Sequence, residues 1–177
     1  MNSGPNTNQA VLVVEDVTET RDGIEKLLKA DGYQVSVARD ERDGIESARR
    51  KRPNLILVID HMAKPPIACE KIDDWECEIS RVAAYPNVHC KLSGLVTEAN
   101  LTSWRLEDLR APVECALQVF GPKRLMFGSD YPVCLLAASY ERVLESFQEL
   151  LKGLDEADRK RIFQENALKF YRLEPFA

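Results

Sequence analysis

The side chains of this 177-residue chain that could do chemistry gather at the ends of apolar runs. Glu15 and Asp16 follow 11–14, Asp60 and His61 follow 55–59, Ser93 follows 88–92, and Asp130 follows 124–127 after Gly128 and Ser129. Carboxylates in such places suit hard cations, which prefer oxygen ligands. A carboxylate together with an imidazole suits proton transfer near neutral pH. His89 lies inside a run and reads as a packed side chain rather than a ligand. The cysteines Cys69, Cys77, Cys90, Cys115 and Cys134 are odd in number and form no C-x-x-C pair, so neither a disulfide framework nor a structural zinc site is expected, only reduced core residues.

The elements that must hold these residues alternate. The run 11–14 is continuous and apolar, as a parallel strand buried on both faces requires. Thr18 can cap a helix with Ile24, Leu27 and Leu28 inward, and Gly32 can stop it. A strand at 35–37, a helix over 40–50 and a third strand at 55–59 complete βαβαβ. Helix 73–84, strand 88–92, helix 112–120, strand 124–127, a helix from 140 to 151 and a last helix after Asp155 continue the pattern. Five βα units nearly exhaust the chain, since a complete eight-stranded barrel takes about 250 residues. With 24 Lys+Arg against 29 Asp+Glu and 45% hydrophobic residues, the composition excludes disordered, collagenous and membrane classes. No basic stripe points to a nucleic-acid partner, and a cytoplasmic location with no membrane contact is expected.

Over about 10–58 the sequence resembles the receiver domain of bacterial response regulators, through VLVVED, GYQVSVARD and RPNLILV. That resemblance implies that Glu15 and Asp16 help hold Mg²⁺, that Asp60 is the phosphoacceptor candidate although one residue late, and that Ser93 imitates the family's strand-four hydroxyl. Over about 60–173 the motifs VIDHMAKP, YPNVHCKLSGL, FGPKRLMFGSDYPVC and FQENALKFYRL resemble the last strands of an amidohydrolase-related lactonase (βα)₈ barrel. There the resemblance implies that His61 polarises substrate or binds metal and that Asp130 activates water. The first-strand His-x-His pair of that family has no counterpart, because the chain has only two histidines. A catalytic zinc usually takes three protein ligands, so His61 and Asp130 are vestigial on this reading.

The sequence therefore predicts a disordered leader at 1–9 and a single chimeric α/β domain over 10–177, receiver-derived over 10–58 and barrel-derived over 59–177. Its fold is expected to be flavodoxin-like and doubly wound, with five parallel strands in the order 2-1-3-4-5. The alternative is a partial (βα) barrel whose open edge invites a homodimer. The expected function is that of an engineered or recombined scaffold with no evolved catalysis, no required cofactor beyond weak Mg²⁺ binding, and no specific partner. The alternatives are a Mg²⁺-binding phosphoacceptor domain acting through Asp60, and a residual metal-dependent lactonase acting through His61 and Asp130.

Overall fold

The computed structural model describes residues 10–14, 18–30, 32–39, 43, 57–69, 71–171 and 173. The leader at 1–9, Glu15 and Asp16, and the helix expected over 40–50 apart from Asp43 lie outside the described residues. The chain forms two compact units, Met1–Leu57 and Val58–Ala177. Among the described residues no helix is long and apolar enough to cross a membrane.

In the first unit β1 (Ala10–Val14) and β2 (Gln34–Ala38) pair in parallel, from Ala10 opposite Gln34 to Val14 opposite Ala38, with α1 (Thr18–Ala30) between them. Gly32, at φ 86°, ends α1: its N–H donates to the Lys29 carbonyl at 3.1 Å and the Tyr33 N–H to Leu28 at 3.0 Å, the double bond pattern that only a left-handed residue permits. The apolar stripe is narrower than expected, because Leu27 is 70% exposed.

In the second unit β3 (Leu57–Ile59), β4 (Val88–Leu92) and β5 (Leu125–Phe127) form a sheet in that order, β4 and β5 running parallel. The single five-stranded sheet in the order 2-1-3-4-5 is not what forms. Among the described residues β1 and β2 hydrogen-bond only to each other, and β3 pairs with β4 in a separate sheet. The helices are α2 (Asp73–Ala83), the short α3 (Leu95–Glu98), α4 (Arg110–Phe120), α5 (Tyr140–Leu150), α6 (Glu156–Lys160) and α7 (Asn166–Tyr171), with a π-helical turn at Arg161–Glu165 joining the last two.

β4 organises this unit. Val88, Cys90 and Leu92 are buried and His89 and Lys91 only half so, the period of two that sends alternate side chains to opposite faces. Helices α2 and α4 pack on β4 and on each other, with Trp75, Ile79, Ala83, Val113, Ala116 and Phe120 inward at helical spacing. Ser139 caps α5 by accepting from the Arg142 N–H at 3.2 Å, and Asp155 caps α6 from Asp158 at 2.7 Å. Two side chains tie the ends of the strands to their surroundings. The Arg124 guanidinium donates to the carbonyls of Ala83, Tyr85, Val88, Val119 and Phe120 at 2.9–3.1 Å. The Asn166 amide donates to Pro122 and Leu125, both at 2.7 Å.

Candidate active site

The C-terminal ends of β3, β4 and β5 bring Asp60, His61, Lys91, Ser93 and Asp130 together. The chain leaves β3 in one left-handed turn: His61, Met62, Ala63 and Lys64 have φ of 47°, 53°, 57° and 52°. Left-handed backbone costs an L-residue roughly 1–2 kcal/mol, so the surroundings must impose this turn. Met62 is fully buried, its carbonyl accepts the Trp75 indole N–H at 2.7 Å, and the Lys64 N–H donates back to His61 at 2.9 Å. Asp130 is also left-handed, at φ 59°. Backbone strain of this kind concentrates at functional sites, and here it falls on the imidazole and on the carboxylate most able to do chemistry.

The imidazole is held on two sides. Its Nδ1 lies 3.0 Å from the Ser93 hydroxyl, and its Nε2 lies 3.7 Å from Asp130 Oδ1. The first distance is a hydrogen bond and the second is too long for one. Ser93 is buried, so its hydroxyl is a partner for the ring rather than a nucleophile. Gly94, at φ 69°, lies under the ring: a Cβ there would stand 2.9 Å from His61 Cβ and Nδ1. A Cβ on Gly128 would stand 3.2 Å from Ser93 Cβ, so both glycines allow the close approach of β3 and β5 to the Ser93 backbone.

Asp60 turns to the other side. Its Oδ2 accepts from Lys91 Nζ at 3.1 Å and its Oδ1 from the His61 N–H at 3.1 Å. Burial pulls the Lys91 pKa down, but Asp60 and a hydrogen bond with the Tyr171 hydroxyl more than reverse it, so the ammonium stays charged. Burial, with Asp60 adding to it, pushes the Cys90 thiol far up, which leaves it an inert core group. Cys134 is likewise buried, whereas Cys69 and Cys77 are exposed, contrary to the expectation of core cysteines throughout. His89 packs edge-on against Phe170 at 5.1 Å and belongs to no site. Beyond Asp130, the exposed side chains of Tyr131, Val133, Leu135 and Leu136 make an apolar rim. The Cys134 N–H anchors that rim to the Asp130 carbonyl at 2.8 Å.

Metal binding can be tested on these distances. Zinc holds nitrogen and carboxylate oxygen at 2.0–2.2 Å, which puts neighbouring tetrahedral ligands about 3.4 Å apart. His61 Nε2 and Asp130 Oδ1, at 3.7 Å, fit as two ligands of one ion. Among the described residues no group of three or more His, Cys, Asp or Glu forms a complete site.

Residues 44–173 match the family profile of the amidohydrolases. The chain is 45% identical over 151 residues to an L-fucono-1,5-lactonase of Burkholderia multivorans, covering 80% of this chain and 51% of that protein. It is 41% identical over 131 residues to the L-fucono-1,5-lactonase of Burkholderia ambifaria, covering 71% and 44%. The chain thus spans about half the length of the curated relatives it matches. A crystal structure of an amidohydrolase from B. multivorans is similar with a TM-score of 0.71 and 33% identity, covering 91% of this chain and 64% of that one. A crystal structure of an amidohydrolase from the same species with bound zinc gives 0.71 and 35%, covering 90% and 59%.

These findings correct several expectations. The amidohydrolase match begins at residue 44, ahead of the expected boundary between 58 and 59, and the structural likeness covers nine-tenths of the chain. The receiver resemblance over 10–58 and the chimera built on it are overturned, and with them the flavodoxin-like sheet; the phosphoacceptor reading of Asp60 loses the resemblance it rested on. The expectation of a non-catalytic scaffold falls as well, because the matched relatives are lactonases. Lys91, Trp75 and Gly94 were not anticipated as parts of the site. The signal for Lys91 was the alternation in Val-His-Cys-Lys-Leu, which puts two polar residues on one face of an otherwise apolar strand.

Proposed function

Because the chain belongs to the amidohydrolase family, we propose that it serves hydrolysis of a sugar-acid lactone to the open-chain hydroxy acid, with His61 and Asp130 at the reacting centre. The convergence of these two side chains at 3.7 Å from strained positions after β3 and β5 carries the reading. Two relatives that act on L-fucono-1,5-lactone, at 45% and 41% identity, support the substrate class. The consecutive order β3-β4-β5, with the candidate site at the strand ends, supports an arc of a (βα)₈ barrel, in which catalytic groups sit on that rim.

Ser93 sets what the imidazole offers. With the proton of His61 on Nδ1 and donated to Ser93 Oγ, Nε2 carries a bare lone pair facing Asp130. A divalent cation would be held by Nε2 and the Asp130 carboxylate, in place of the expectation that no cofactor is required. When bound it supplies polarisation of the lactone carbonyl and a bound water acidic enough to react near neutral pH. Asp130 accepts a proton from the attacking water as oxygen adds to the carbonyl carbon. As the bond from that carbon to the ring oxygen breaks, Asp130 returns the proton to the departing oxygen. The apolar rim of Tyr131, Val133, Leu135 and Leu136 borders the place where the ring would rest.

The test is hydrolysis of L-fucono-1,5-lactone by the zinc-supplemented full chain, followed by acid release. Loss of turnover in Asp130→Asn and His61→Ala supports the assignment. Turnover that survives Asp130→Asn would identify a contaminating hydrolase and overturn it.

A further inference from the structure

The Asp60–Lys91 pair is placed where the fold does not need it. Lys91 lies on the face of β4 away from Val88, Cys90 and Leu92, and the Asp60 and Lys91 side chains are 50% and 27% exposed. Half-exposed ion pairs contribute little to folding. Its geometry is nevertheless specific, because one carboxylate spans two strands. Oδ2 takes the ammonium from β4 at 3.1 Å, and Oδ1 takes the backbone N–H of His61 at 3.1 Å, at the first residue of the left-handed turn. The same Oδ1 lies 3.7 Å from His61 Nδ1, beside the nitrogen that meets Ser93.

We propose that Asp60 and Lys91 are positioning residues for His61: Lys91 fixes the Asp60 carboxylate, and the carboxylate holds the His61 N–H in the left-handed turn that aims Nδ1 at Ser93 and Nε2 at Asp130. The role rests on the lactonase reading only for its effect on turnover; the effect on the imidazole is independent of it. Without Lys91, Asp60 turns toward water and the His61 N–H loses its acceptor, so the first residue of the turn loosens while the buried Met62 and its bond to Trp75 hold the rest. The ring then leaves Ser93 and its two neutral tautomers mix.

The experiment exploits a chain with only two imidazoles, His61 and His89. Long-range ¹H–¹⁵N correlation of the ¹⁵N-histidine-labelled, metal-free full chain reads the tautomer of each ring, and His89→Gln assigns them. The native chain should show His61 with one protonated and one bare nitrogen, well separated. Lys91→Met and Asp60→Asn should each draw the two His61 signals together while the melting temperature holds, and Lys91→Arg should restore the separation. In the lactonase assay kcat should fall about 10–100-fold in the first two variants with KM little changed, the range found for partners that orient a reacting side chain. His61 signals that superimpose on the native ones in both Lys91→Met and Asp60→Asn would overturn the proposal. A native chain without lactonase activity counts against the hydrolase reading, and the signals still decide this one.

Discussion

At the scale of single residues the site works by denying alternatives to one ring. His61 has Ser93 on Nδ1, Gly94 beneath it and Asp130 opposite Nε2, so changes at each contact should separate. Ser93→Ala removes the hydrogen-bond partner of His61 Nδ1 and should lower kcat/KM about 10–100-fold, measured on the same lactone as the native chain. Gly94→Ala brings a Cβ to 2.9 Å from the ring at φ 69° and should cost about 1–3 kcal/mol in stability, read from urea unfolding. His89 gives a third prediction. Burial first, then the charges of Arg124 and Lys169, hold its pKa below 6.5. The unfolded chain thus takes up a proton that the folded one refuses, and stability present above pH 6.5 is lost as the pH falls below it. His89→Gln should flatten that part of the stability profile, and an unchanged slope would move the cause elsewhere.

At the scale of elements, the strands and most helices were legible in the sequence, because apolar runs at 88–92 and 124–127 and the spacing of Val143 and Phe147 are direct consequences of burial. Which sheet each strand joins was not legible. The run 11–14 has the composition of any parallel strand covered on both faces, and a receiver and a barrel share it. That is why 10–58 reads as either family. The positions of His61, Asp130 and Ser93 at strand ends were visible. The left-handed turn was not, since Met62, Ala63 and Lys64 carry no local preference for it; Trp75 and the buried Met62 impose it from a distance. Polar side chains add links between elements to the apolar packing. Arg124 satisfies five carbonyls, so Arg124→Met should cost about 2–4 kcal/mol through carbonyls left without donors, measurable as a lower urea midpoint. Asn166→Ala should cost about 1–3 kcal/mol by the same cause.

At the scale of the molecule, the proposed cation would link the site to the stability of the whole chain. A ligand that binds only the folded form stabilises it by about 2.7 kcal/mol at one hundred times its dissociation constant. The native melting temperature should therefore rise with added zinc, and the rise should vanish in His61→Ala and in Asp130→Asn. A rise that persists in both would place the ion elsewhere. The left-handed turn after β3 leaves a different mark. In a saturation scan of every position, almost everywhere glycine is among the poorer replacements and valine or isoleucine among the safer ones. Across Ala63 and Lys64, at φ 57° and 52°, that ranking inverts. Glycine and asparagine should survive there and β-branched residues should be purged, so that a short stretch of a population of variants carries the handedness of the backbone as a readable pattern of tolerated letters.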